Sequence, residues 1–322
     1  MRYFLQRFLQ LLLVFFIVTF TVLVVMRVGS PDARTLAIKL AGKPLTDAEQ
    51  ADLISRYSLD SNFFSQYLTW LKQLIFHFDL GVSPQNSSTV ADLLKPRVWT
   101  TVLLGLYAIV FGLLLAVPIA VWQAYRRDRV FDKTASVATF VAVGIPGIVL
   151  GLFLKLGFVV HWSIFPSIGD KVYPWDNFGE HVMNFFLPTV TLMIPVAAIY
   201  ARLLRADMVM TLQSDFVTLA SAKGVPPQRV LWKHALRNSL FSLLTAVGTQ
   251  LGALVGSAVL VESLFDLDGL GSQLVVSVLS SDLFTVQSFV AIIVLIVVIV
   301  NLLVDLSYAL IDPRIRQARA LV

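Results

Sequence analysis

The sequence predicts an all-α membrane protein of six transmembrane helices, with both termini on one side. Three observations carry this. Of the 322 residues, 57% are hydrophobic and only 14% are charged, against about 45–50% and about 25% in ordinary soluble proteins. Mean hydropathy is +0.80. Apolar runs recur at the length of about 20 residues that crosses a bilayer, and Lys and Arg gather in alternate connections.

The first span runs from Phe8 to Met26, behind Arg2 and Arg7. No small-x-small cleavage pattern follows Met26-Arg27, so the run reads as a retained anchor rather than a signal peptide. Residues 1–27 are thus tail and first span. Residues 28–97 form an outer helical segment. Within it Thr46-Asp47-Ala48-Glu49 is a capping-box pattern that opens a helix to about Tyr57. A second helix is predicted from Asn62 to Phe78, with Phe64, Tyr67, Leu68, Leu71 and Ile75 at helical spacing. Its aromatics read as packing, not as a ligand cage.

Residues 98–322 form a core of five further spans, predicted at Thr100–Trp122, Ala135–Val160, Phe185–Leu204, Leu240–Val261 and Phe284–Ala309. Arg126, Arg127, Arg129 and Lys133 lie on the same side as the N-terminus. So do Arg202, Arg205, Lys223, Arg229, Lys233 and Arg237, then Arg314, Arg316 and Arg319. That side is cytoplasmic by the positive-inside rule, and the loop 207–240 lies on it. On the other side, Trp162 and Trp175 in the loop 161–184 fit an interfacial aromatic belt. His161 and His181 fall in the same loop without an acid cluster, so a metal site is not expected there. Lys155, near the outer end of its span, is expected to snorkel to the surface. Asp305 lies near the inner end of the last span.

The stretch from Asp215 to Leu240 is polar and basic between two apolar spans. Ser214 is placed as an N-cap, with Asp215 on the first turn where an acid suits the helix dipole. Phe216, Leu219, Ala220 and Lys223 follow at helical spacing. Gly224 stands where a helix needs a left-handed residue, and Pro226-Pro227 stops its continuation. A second helix then runs through Val230, Leu231, Ala235 and Leu236 toward the next span. Ala220, Ser221 and Ala222 are small enough for another protein's backbone to approach. The competing reading is an amphipathic connector resting on lipid headgroups.

Here the run Ala220-Ser221-Ala222-Lys223-Gly224, followed by Val230 and then His234-Ala235-Leu236-Arg237-Asn238-Ser239, resembles the cytoplasmic loop of permease subunits of ATP-binding-cassette importers. The dipeptide and oligopeptide branch, B-type subunit, is the nearest in pattern. Thr218-Leu219-Ala220 stand where the broad family has Glu-Ala-Ala. Glu262-Ser263-Leu264-Phe265 with Gly269 and Gly271 resembles the family's outer turn over the pore mouth, and the glycines are expected to permit the reversal. Asn301 to Tyr308, then Asp312-Pro313-Arg314-Ile315-Arg316, resembles the peptide-permease C-terminus. Leu59-Asp60, Gln66-Tyr67, Trp70-Leu71 and Asp79-Leu80-Gly81 are similar to its outer segment, and Gly29-Ser30-Pro31-Asp32 reorders a Gly-Asp-Pro-like run.

The resemblance implies a type I importer permease, a translocation subunit without catalysis of its own, in the bacterial inner membrane. It implies a coupling site at Asp215, Phe216, Leu219, Ala220, Ala222, Lys223, Gly224, His234, Arg237 and Asn238. It implies an outer gate and receptor contact at Glu262, Phe265, Gly269 and Gly271. The implied partners are a homologous second permease, two cytoplasmic ATP-binding subunits that carry the ATP and Mg, an extracytoplasmic solute-binding protein, a peptide substrate and the lipid bilayer.

The residues also exclude chemistry. No Gly-x-x-x-x-Gly-Lys-Ser/Thr loop occurs, so the chain has no phosphate cradle for ATP. No cysteine is present, which removes disulfides and thiolate chemistry. Basic residues separated by lipid-length spans do not make a nucleic-acid surface. A secondary transporter would need midplane charges and inverted repeats, and an intramembrane enzyme a base near Ser257; neither pattern is evident. Within the importer reading, another small solute such as a nickel chelate or glutathione is the alternative cargo.

Overall fold

The computed structural model describes residues 2–28, 32–41, 44–56, 58–83, 88–167, 173–280 and 282–311. The Gly29–Pro31 run, Tyr57 and the tail from Asp312 onward lie outside the described residues, as do the side chains of Arg2, Arg7 and Asp305. In chain order the helices are α1 (Arg2–Val28), α2 (Ala33–Ala41), α3 (Asp47–Arg56), α4 (Phe63–His77), α5 (Val90–Tyr125), α6 (Val130–Gly144) and α7 (Gly147–Leu154). A π-helical turn at Lys155–His161 extends α7. Then come α8 (Phe178–Leu212), α9 (Asp215–Ala222), the single turn α10 (Pro227–Arg229) and a second π turn at Val230–Ala235. The chain continues as α11 (Leu236–Leu264), α12 (Leu270–Leu279) and α13 (Leu283–Ile311).

Among the described residues, five helices are long and apolar enough to cross a membrane, and the bent α6–α7 pair makes a sixth span if it counts as one. The predicted continuous third span is corrected there: α6 and α7 meet at 97°. Ile145 before the proline is extended (φ −84°, ψ 121°). Pro146 disfavours a helical residue before it and donates no hydrogen bond. α8 also begins earlier than predicted, so His181 is a buried helical residue and not a loop ligand. Its Nε2 lies 3.0 Å from the Tyr107 hydroxyl and its ring stacks on Phe185.

The chain divides into two compact units. One comprises residues 1–101 and 268–303. In it the capping box forms, with the Thr46 N–H donating to Glu49 Oε2 at 2.8 Å. α4 is capped by Asn62, which accepts from the Ser65 N–H, and ends at Phe78 (φ 51°). Tyr67 and Trp70 of α4 are buried with Leu23 of α1 and Ala291 of α13, so these two aromatics pack, while Phe63, Phe64 and Phe76 of the same helix stay exposed. The Tyr67 hydroxyl lies 2.8 Å from Thr19 Oγ1, and burial pushes its phenol pKa up. Arg27 donates to Gln66 Oε1 and to the Leu59 carbonyl at 2.8 and 2.6 Å, fixing α1 to the outer helices. Val90 and Leu94 pack with Leu270 and Phe289. Asp282, just ahead of α13, accepts from the hydroxyls of Ser83 and Thr285.

The other unit comprises residues 102–267 and 304–322. One part of its core joins α5, α8, the second π turn and α11 through Ala116, Ala120, Ala124, Ala197, Ala201, Ala235, Leu236 and Leu243, with Tyr200, Leu204 and Met208 between them. Small residues let helix backbones approach where lipid supplies no hydrophobic drive. A second part gathers Leu104, Ala108, Phe185, Leu192, Leu254, Ala258 and Phe265. α7 touches both α8 and α11, and Gly151 makes that possible. A Cβ there would sit 2.7 Å from Leu264 Cδ2 and 2.9 Å from Thr191 Cγ2.

Candidate functional site

α8 stops at Leu212, and only two residues separate it from α9. Ser214 has extended backbone at the N-cap position, but its side chain does not cap α9. Its hydroxyl donates instead to the Thr211 carbonyl at 2.5 Å. The end of α8 leaves carbonyls without partners, and the connection is short enough for Ser214 to serve them. Thr211 and Ser239 hydroxyls meet at 3.1 Å in a buried contact that ties this junction to the start of α11.

α9 ends in a Schellman turn. The Gly224 N–H donates to the Ser221 carbonyl at 3.0 Å and the Val225 N–H to the Ala220 carbonyl at 3.2 Å. Both bonds require the left-handed residue that Gly224 provides at φ +77°. No atom lies within 4 Å of where its Cβ would be, so the conformation alone, not crowding, calls for glycine. Pro226 and Pro227 then restart the chain as α10 and the π turn, against which α9 packs.

The implied coupling residues divide by position. Val217 is the buried residue of α9, at 4% exposure, and it turns Phe216 (46%) and Leu219 (56%) outward. Asp215, Ala222, Lys223 and Gly224 are exposed and Ala220 is half-buried. The structure brings Phe216, His234, Arg237 and Asn238 together on one groove of about 1100 Å³. Leu219 and the Ala220–Gly224 corner do not line it.

Sequence reading missed Val217, and it missed the brace beneath the loops. Arg205 of α8 grips Asp132 of α6 bidentately, Nε to Oδ1 and Nη2 to Oδ2, both at 2.6 Å. Asp132 also accepts from the Asp128 N–H at 2.9 Å and from Gln123 Nε2 at 3.3 Å. Paired forks of this kind fix orientation as well as distance. From the sequence Arg205 reads only as a topology marker, and Asp132 has no reading of its own. With the two positions 73 residues apart, no local signal links them.

The outer-turn residues behave differently from the expectation. Glu262 is fully buried and Phe265 is 6% exposed in the unit of residues 102–267. Gly269 and Gly271, in the other unit, are buried too. Neither glycine takes the left-handed conformation; Asp266 does, at φ 54°. Asp is one of the few residues that tolerates this region, because its short side chain bonds locally. Here the carboxylate is held by Lys155 at 2.7 Å, and the same ammonium donates to the Leu264 carbonyl at 2.5 Å. Lys155 thus reaches an exposed carboxylate, in keeping with snorkelling, and is held there by two fixed acceptors, the Leu264 carbonyl and Asp266. Among the described residues, no group of three His, Asp or Glu stands ready to hold a metal.

Residues 108–317 match the family model for the inner membrane component of binding-protein-dependent transport systems. The chain belongs to that family. The permease is 31% identical over 297 residues to the dipeptide transport system permease protein of Escherichia coli, covering 85% of this chain and 87% of the relative. It is 30% identical to the oligopeptide transport system permease protein of Bacillus subtilis, over 97% and 98% of the two chains. It is 31% identical to the glutathione transport system permease protein of Shigella flexneri, over 98% and 99%. It is therefore a multi-pass inner-membrane permease of the ATP-binding-cassette importers, a translocation component that is not itself catalytic. Membership implies partnership with ATP-hydrolysing and substrate-binding subunits, and it sets aside the secondary-transporter and intramembrane-enzyme readings.

Proposed function

We propose that this permease forms, with a homologous second permease, the translocation path for short peptides, and that α9 couples the path to two cytoplasmic ATPase subunits by alternating access. ATP and Mg act on those subunits, and an extracytoplasmic binding protein delivers the substrate. Both termini and the loop 207–240 face the cytoplasm, in keeping with the Lys and Arg distribution.

The observation that carries the reading is the build of α9. It is an eight-residue helix, about 12 Å long at 1.5 Å per residue. Val217 faces inward, Phe216 and Leu219 face outward, and the Schellman corner at Gly224 fixes its end. Such a piece suits docking in a groove of another protein, because its apolar residues protrude beside the small Ala220 and Ala222. Motion passes through Val217 and the π turn to α11. On the outer side, the Asp266 turn is the part proposed to answer a docked binding protein. The buried side chains of Glu262 and Phe265 serve as its footing. Glutathione, itself a tripeptide, is a second cargo reading, since that relative is as similar as the dipeptide one.

The test is co-purification of the ATPase subunits with the permease pair in nanodiscs, with ATP hydrolysis measured with and without loaded binding protein. Ala220→Trp, on the docking face, should leave insertion and pairing intact while docking and stimulated hydrolysis fall. Wild-type coupling in that variant would mean that α9 only rests on the membrane. Reporter fusions at Ala124 and Gln228 should read cytoplasmic and one at Gln85 external; Gln85 and Gln228 on one side would refute the topology.

A further inference from the structure

The groove beside α9 has a chemistry that peptide coupling does not explain. Its floor is apolar: Leu113 and Val117 of α5, with Leu240, Phe241, Leu244 and Val247 of α11. At one end stand Lys233, His234 and Arg237, and no carboxylate lines it. Lys233 and Arg237 are exposed, and neither has an ion-pair partner among the described residues. An open groove with cations at one end and hydrocarbon along the rest fits an anion that carries an apolar tail.

The order of those groups narrows the occupant. From Arg237 to Val247 is ten residues, about 15 Å of helix, and half of a roughly 30 Å hydrocarbon core is the same depth. The cations thus stand where headgroups lie, and the apolar floor stands where acyl chains lie. A different face of α11 carries Thr245, Thr249, Gly252 and Gly256, all exposed. A Cβ at Gly252 or Gly256 would meet nothing within 4 Å. That face suits the close approach of another helix, whereas the groove, with large side chains and unpaired cations, does not.

We infer that the groove between α5 and α11 binds an anionic phospholipid of the cytoplasmic leaflet, with its phosphate at Lys233 and Arg237 and an acyl chain along Leu240, Leu244 and Val247. Basic pockets between membrane helices on the cytoplasmic side recognise acidic headgroups in this way. Because Phe216 of α9 lines the same groove, the bound lipid also braces the inner side of α9. The inference rests on the cytoplasmic placement of residues 207–240.

The test uses the full chain in nanodiscs of equal phosphatidylcholine and phosphatidylglycerol, with retained lipids counted by native mass spectrometry. Two basic groups near the surface favour the acidic lipid by about 10- to 30-fold. Phosphatidylglycerol should therefore be retained over phosphatidylcholine by about that ratio, and less so at high salt. Lys233→Gln with Arg237→Gln should bring the two lipids to parity. Leu244→Trp, which fills the floor, should reduce retention of both while the thermal midpoint holds. Equal retention by the wild type, or an undiminished preference in the double variant, overturns the inference. So does a Leu244→Cys protein that cross-links to a second permease in the assembled importer and carries no phosphatidylglycerol. Fusions that put Gln228 outside would overturn the cytoplasmic-leaflet placement together with the topology, whereas equal retention with Gln228 inside would overturn the lipid site and leave the topology standing.

Discussion

Two corners in the unit of residues 102–267 turn the chain through left-handed backbone, and they are held in opposite ways. At Gly224 (φ +77°) nothing crowds the Cβ position, and the corner is closed by two bonds within its own turn. At Asp266 (φ 54°) the residue has a side chain, and Lys155, 111 residues earlier, holds it. The Leu267 N–H also returns to the Glu262 carbonyl at 2.9 Å. The first corner is local, exposed and shaped by glycine and proline. The second is a tertiary product, set on the buried Glu262 and Phe265 and the tight packing at Gly151. A corner proposed to dock on a partner needs a fixed shape but few internal contacts. A corner that closes over packed spans borrows its shape from them.

Four substitutions break or sharpen this comparison. The largest effect is expected from Gly151→Val, which forces atoms into Leu264 and Thr191 beneath the Asp266 corner. Overpacking of this kind costs about 3 kcal/mol. The folded yield and thermal midpoint should drop sharply, and an unchanged midpoint would mean that α7 does not press on α8 and α11.

Next comes Asp266→Val. A β-branched residue in the left-handed region costs about 1–2 kcal/mol, and loss of a partly exposed ion pair adds about 1 kcal/mol at most. Thermal unfolding should show this sum, with substrate transport impaired.

Gly224→Val carries the same conformational cost of about 1–2 kcal/mol but removes no tertiary contact. Global stability should therefore change less than in Asp266→Val, while ATPase docking falls. A fall in stability larger than that of Asp266→Val would reverse the contrast between the corners.

The smallest effect belongs to Asp266→Gly, because glycine keeps the left-handed turn and only the exposed pair is lost. Its midpoint should stay within about 1 kcal/mol of wild type. If it falls as far as Asp266→Val, the ion pair and not the backbone holds that turn.

Much of the fold was legible because the signals were local and repeated. Apolar runs gave the spans, Thr46 to Glu49 gave the start of α3, and Asn62 gave the start of α4. Gly224 with Pro226-Pro227 gave the corner after α9. Two helices gave no such signal. α2 is short, and α12, with Val275, Val276 and Val278, is β-branched and too short to span; its Leu270 is buried by packing with Val90, Leu94 and Phe289. Ser214 was placed correctly, but its bond was not, because two helix ends compete for one hydroxyl.

The sequence by itself determined the class of this protein, the places of its apolar runs and the shape of the α9 corner. These depend on composition, on periodicity and on the φ preferences of glycine and proline, all of which act within a few residues. Tertiary structure alone decided that Arg205 clasps Asp132 and that Lys155 anchors Asp266. It also decided that Phe216, His234, Arg237 and Asn238 share one groove. The two clasps depend on which distant side chain arrives within about 3 Å, a distance at which charged hydrogen bonds form. A one-dimensional pattern does not encode that arrival; the packing of α5, α8 and α11 through their small residues does.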